Sequence, residues 1–187
     1  MLTAWGWQMS ARDESPNGSD DDRAILRGKV VWADSMRMEV LSWMIKDLVP
    51  AGKITVLAGR GGEGKSTLAY RWAADATRGG LNGDWSGPRN VLILAYEDDW
   101  ATDIKPRLMV AGADVSKVGR FDIETVIGTE TIDDVIPMDF SKHAHLLQQE
   151  ITDKDVSLVI IDPASAAMNG DPNSLKDVRA FIAYGAL

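Results

Sequence analysis

The sequence predicts an α/β protein built on a mostly parallel sheet with helices on both faces. Three observations predict it. Residues 91–96 and Val156–Asp162 are near-continuous apolar runs of strand length, the pattern of strands buried on both sides. Stretches with apolar residues at helical spacing alternate with such runs. Between a third apolar run, residues 54–58, and one of those helical stretches lies Gly59-Arg60-Gly61-Gly62-Glu63-Gly64-Lys65-Ser66.

Taken in order, residues 1–28 form a linker-like tail. Ser15-Pro-Asn-Gly-Ser-Asp-Asp-Asp22 combines turn formers with an acidic run and offers little to bury. The folded core is expected over 29–187. Residues 36–48 place Met38, Val40, Leu41, Met44, Ile45 and Leu48 in a pattern closer to helical than alternating. Pro50-Ala51-Gly52 turns the chain into the strand at 54–58. The helix after the glycines runs over 66–78, with Leu68, Ala69, Trp72, Ala73 and Ala76 along it, and Gly79-Gly80 stops it. The strand at 91–96 ends in Glu97-Asp98-Asp99. Residues 100–113 read as a helix weakened by Pro106. A strand is expected at 121–127, a helix at 142–152 with Ser141 as its cap, the strand Val156–Asp162, and a last helix from Ser174 with Leu175, Val178, Phe181 and Ile182 on one side.

Composition narrows the function. The chain has 187 residues, 45% hydrophobic and 26% charged, in the range of one soluble globular domain. It contains no cysteine, so disulfide frameworks and thiolate metal sites are excluded. No basic leader with an apolar core and no eighteen-residue apolar run occurs, so a cytoplasmic, membrane-free protein is expected. The net charge of −8 argues against a broadly basic nucleic-acid surface, though not against DNA held by a few loops. Seven tryptophans are read as packing residues.

The glycine-rich stretch is G-x-x-x-x-G-K-S in its strand–loop–helix context. Gly59, Gly61, Gly62 and Gly64 free the backbone so that successive N–H groups curl around a phosphate. The following helix directs its positive end at the same anion. Lys65 is expected to reach the β- and γ-phosphates, Ser66 to ligand Mg²⁺, and Thr67 to donate a further hydrogen bond. Arg60 and Glu63 are expected to be exposed, facing the nucleotide or a neighbouring subunit.

Ligands of parallel α/β sheets sit beyond the carboxyl ends of the strands. Asp162 closes an apolar strand there and is expected to hold Mg²⁺, through water. The following residue is Pro163, which cannot orient a water, so the role falls to a neighbouring strand end, with Glu97 the best placed carboxylate. Asp98 and Asp99 cap the next helix or assist the metal. Arg107 is a structural partner for that acidic cluster. His143 and His145, two apart on a helix, face different ways and are read as surface residues.

Together these residues resemble the RecA-like ATPases of the RepA-type plasmid and phage helicase group, related to DnaB and RecA. The resemblance rests on Pro50-Ala-Gly52, on Leu57-Ala-Gly-Arg-Gly-Gly-Glu-Gly-Lys-Ser-Thr67, and on Ala76-Thr-Arg-Gly79. It continues through Glu97-Asp98-Asp99, residues 106–114 and Val159-Ile-Ile-Asp-Pro163, spanning about residues 30–187. It implies a three-layer P-loop fold and Mg²⁺-dependent ATP hydrolysis at a subunit interface of a ring, usually a hexamer. It supports Glu97 as the base and implies coupling to single-stranded DNA in replication or repair. The group continues into a further strand with a polar sensor, arginines that complete a neighbour's site, and DNA-contacting loops. This sequence stops at Leu187, so a core lacking its last strands, with weak ATP binding and poor turnover, is expected. The missing strand would lie between the phosphate-loop strand and the Asp162 strand. Two rivals stand beside the motor: a non-motor ATP-binding regulator or loader, and an inactive truncated fragment.

Overall fold

The computed structural model describes residues 27–127, 130–136, 138–168, 170–171 and 174–185. The tail expected over 1–28 therefore lies almost wholly outside the described residues. The chain divides into two units, residues 1–39 and 40–187. In the first, the described residues carry one 3-10 turn, Ala33–Ser35, closed by the Ser35 hydroxyl on the Trp32 carbonyl at 2.7 Å.

The second unit is organised around β3 (Asn90–Ala95). It pairs in parallel with β4 (Val118–Arg120) on one side and β7 (Val156–Asp162) on the other. Alternation along β3 sends its side chains to two cores. Val91 and Ile93 join Tyr70, Ala73 and Ala76 of α1 (Lys65–Arg78) and Leu108 of α2 (Lys105–Val110). Leu92 and Leu94 join Phe140 and Leu147 of α3 (Phe140–Asp153). The Phe140 ring meets Phe181 of α4 (Leu175–Gly185) edge-on, with centroids 5.1 Å apart. Helices thus cover both faces of the parallel sheet, as the apolar strands require. Two antiparallel pairs lie outside it: β1 (Trp43–Ile45) with β2 (Val49–Pro50), and β5 (Ile123–Ile127) with β6 (Glu130–Ile136).

Several expectations need correction. Residues 54–58 join no ladder: the backbone of 53–58 makes no hydrogen bond to a described residue, and Val56 is 70% exposed. An apolar run becomes a strand only when a neighbour pairs with it. Among the described strands β7 pairs with β3 alone. The helix expected over 36–48 is absent. Residues 36–42 are irregular, and β1 and β2 follow with Asp47 in the left-handed region at φ 59° between them. The cap of α3 is Asp139, whose Oδ1 accepts from the Ser141 amide at 2.9 Å, so Ser141 is already helical. Over 100–110 the chain makes a wide π-type turn, Trp100–Ile104, and Pro106 then falls in the first turn of α2, where a missing N–H costs nothing. Leu68 faces outward at 43% exposure, and the buried stripe of α1 runs through Ala69, Tyr70, Ala73, Ala74, Ala76 and Thr77.

Candidate functional site

The glycine-rich loop is shaped by its own residues. Gly62 and Gly64 sit at φ 79° and 82°, in the left-handed region that glycine alone enters without strain. Gly64 is also the N-cap of α1, and its carbonyl accepts the Leu68 amide at 2.9 Å. Lys65 folds back over the loop, its Nζ donating to the carbonyls of Gly59 at 2.9 Å and Arg60 at 2.8 Å. This draws the loop into a closed turn and fixes a cation beside the helix N-terminus. Glu63 Oε2 accepts from the Arg60 amide at 2.8 Å, so a carboxylate oxygen occupies one donor that an incoming anion would use. Arg60 and Glu63 are both exposed, as are Gly59, Gly61, Gly62 and Thr67, while Lys65 and Ser66 are half-buried.

The carboxylates arrive from the sheet. Parallel pairing of β3 with β7 places Ala95 opposite Asp162, and the Tyr96 amide donates to the Asp162 carbonyl at 3.1 Å. Both strands therefore end at one edge, with Glu97 two residues past the end of β3. The Glu97 carboxylate is exposed and that of Asp162 half-buried. Neither carboxylate, nor the Ser66 hydroxyl, has a hydrogen-bond or ion-pair partner among the described residues.

Asp98 and Asp99 have separate tasks. Asp99 caps the π-type turn, accepting from the amides of Ala101 and Thr102 at 2.8 Å. The Thr102 amide and hydroxyl, then the Ala101 amide, hold its carboxyl below the usual range. Asp98 is held by Arg107 at 2.6 Å, and Arg107 also reaches Asp103 at 3.7 Å, the partnership with the acidic cluster expected for Arg107. At this exposure such a pair adds at most about 1 kcal/mol, so its effect is on position. His143 Nδ1 accepts the Asp139 amide and His145 is exposed.

Tyr70 belongs to no motif of the sequence. It lies one turn past Ser66 on the inward face of α1, 1% exposed. It also walls a cleft of about 460 Å³ with Thr67, Arg71, Pro106, Arg107, Val110 and Ala111. Burial, then the charges of Asp162 and Asp98, push its hydroxyl up to about 12. The signal was the i, i+4 relation to Ser66, but a tyrosine among alanines reads simply as core.

Among the described residues no group of three or more His, Cys, Asp or Glu side chains forms a metal cage. Mg²⁺ does not need one: it keeps several waters and binds one or two protein oxygens together with substrate phosphates. Ser66 and Asp162, hard oxygen donors without partners among the described residues, fit that use.

An α/β protein with a phosphate loop opening a helix and free carboxylates at parallel strand ends falls in the class of P-loop nucleotide-binding proteins. A family model described as an AAA domain matches residues 22–186. The chain belongs to that family, a family of P-loop ATPases, and nucleotide binding and hydrolysis are the general activity it carries. No curated protein and no solved structure gave a significant match. Among the described residues no helix is long and apolar enough to cross a membrane.

Proposed function

We propose that the chain is a Mg²⁺-dependent ATPase subunit with a three-layer RecA-like core, coupled to single-stranded DNA and acting in a homo-oligomeric ring, a hexamer. The observation that carries the ATPase reading is the pairing of a self-closed Lys65 loop with unpartnered carboxylates at the aligned ends of β3 and β7. Residues 59–67 hold the triphosphate, through the loop amides, the Lys65 ammonium and the Thr67 hydroxyl. Ser66 and Asp162 hold the metal, which when bound neutralises charge on the β- and γ-phosphate oxygens. Glu97 orients a water and accepts its proton as the water oxygen bonds to the γ-phosphorus and the bond to ADP breaks. Binding of the nucleotide displaces Glu63 from the Arg60 amide.

A regulator that switches partners with ATP is the second reading. The net charge of −8 favours it, since a broad basic track for DNA is missing from the composition. One experiment addresses both: steady-state Mg-ATP hydrolysis with and without single-stranded DNA, beside Lys65→Ala and Glu97→Gln. Turnover that falls at least about a hundredfold in each variant and rises with DNA supports the motor. Lys65-dependent turnover with no DNA response supports the switch. Turnover equal in wild type and Lys65→Ala overturns the assignment of the loop.

A further inference from the structure

Tyr70 is the largest fully buried side chain among the described residues, yet among those residues its hydroxyl has no hydrogen-bond partner. Buried polar groups are nearly always paired, so an orphan asks for an explanation. The ring is fixed: it packs in the core formed by Ala73, Ile93, Ile104 and Leu108. Leu158 and Ile160 of β7 pack against this same core, so alternation along the strand puts Asp162 on that face of the sheet. The charges of Asp162, Asp98, Asp103 and Arg107 act on the hydroxyl. Three of these are occupied, because Arg107 pairs with Asp98 at 2.6 Å and with Asp103 at 3.7 Å. Asp162 is the one acceptor of the set with no partner of its own among the described residues.

We propose that Tyr70 is a positioning residue for the metal-bound nucleotide, its hydroxyl reserved as a hydrogen-bond donor to the Asp162 carboxylate in the Mg-nucleotide state. The proposal rests on the reading of Ser66 and Asp162 as metal-holding residues. Tyr70 is on the same helix as Ser66, one turn along the same face, so one rigid element carries both the hydroxyl that meets the metal and the hydroxyl that steadies the metal's carboxylate. Among the described residues this donor has no partner. When nucleotide and metal draw Asp162 into a defined position, the bond forms and orients the carboxylate from behind, as outer partners of metal ligands do. A tyrosine hydroxyl is protonated throughout the neutral range, so it remains a donor.

The test is Tyr70→Phe in the full chain, read by affinity for ATP with Mg²⁺, affinity for ATP in EDTA, and melting temperature. The expected result is about a tenfold loss of affinity in Mg²⁺, the size of one hydrogen bond to a charged group. Affinity in EDTA should stay within about twofold, and the variant without nucleotide should melt no lower than wild type, since the hydroxyl has no partner among the described residues. Asp162→Asn should lose affinity in Mg²⁺ too, and adding Tyr70→Phe to it should cost little more. Equal affinities of wild type and Tyr70→Phe in Mg²⁺ overturn the proposal, as do equal losses with and without metal or fully additive effects in the double variant. If the wild type shows no Lys65-dependent ATP binding in either buffer, the parent reading fails instead.

Discussion

Residues 54–58 and β3 are apolar runs of similar length, and the molecule treats them in opposite ways. Ile93 in β3 is fully buried, Val91 is 1% exposed, and both edges of the strand are paired. In the other run Ile54, Val56 and Leu57 are 39%, 70% and 37% exposed, and the backbone pairs with nothing described. The comparison separates two kinds of structural information. A strand is a relation between segments, and hydrophobicity alone does not supply the partner. The phosphate loop that follows residues 54–58 takes its shape all the same, because its instructions are local. They are glycines at positive φ, a lysine folding back on two carbonyls, and a helix start.

The strongest way to break this contrast is to cut into β3. Ile93→Ala removes side-chain atoms from a filled core shared by α1 and α2, and a loss of about 3 kcal/mol is expected, with a cavity left behind. Urea denaturation measures it. A loss below about 1 kcal/mol would mean that β3 is no better packed than the loop segment.

A comparison of two glycines sharpens the same point with a smaller effect. Gly79 ends α1 at φ 69°, and a Cβ there would lie 2.7 Å from the Gly87 carbonyl carbon. Gly79→Ala should therefore cost about 2 kcal/mol, from left-handed backbone strain and backbone overlap together. Gly61, in the phosphate loop, has open space around it and no positive φ. Gly61→Ala should change stability by less than about 0.5 kcal/mol and act, if anywhere, on the approach of a phosphate. Melting curves of the two variants rank them, and equal shifts would contradict the local account of the loop.

What could be read from residues alone follows the same division. The loop, α1 with its glycine stop and β7 over Val156–Asp162 were legible, because motif, helical spacing and a continuous apolar run are all short-range signals. The pairing of Arg107 with the acidic cluster was legible from charge and spacing. The hairpin of β1 and β2 was not, since Met38, Val40, Leu41 and Met44 imitate a helical stripe while most of them are exposed. β4 was missed because Val118-Gly-Arg120 is too short to show a period and owes its state to β3. Asp139 was passed over for Ser141 although both are capping types; the register of α3 on its core, through Phe140 and Leu147, decides between them. In the candidate site, the parts within one segment were readable. Tyr70 was not, because its meaning depends on Asp162, ninety-two residues further on.

The smallest expected effect tests the exposed run directly. Val56→Thr keeps the shape and adds a hydroxyl, and at 70% exposure it should change stability by no more than about 0.5 kcal/mol. The backbone offers an independent reading. Amides at 53–58, lacking hydrogen bonds to any described residue, should exchange with solvent deuterium at nearly unprotected rates, whereas those of β3 should need global unfolding. Slow exchange at 53–58, or a penalty above about 1 kcal/mol for Val56→Thr, would show that in solution this run is paired and covered. Repeating the exchange with Mg-ATP extends the test. If the loop is built locally, nucleotide should protect amides from Gly59 onward and leave 53–58 as they were. Protection spreading back through 54–58 would instead mean that ligand and strand form together, and the division between local and relational structure would not hold at this site.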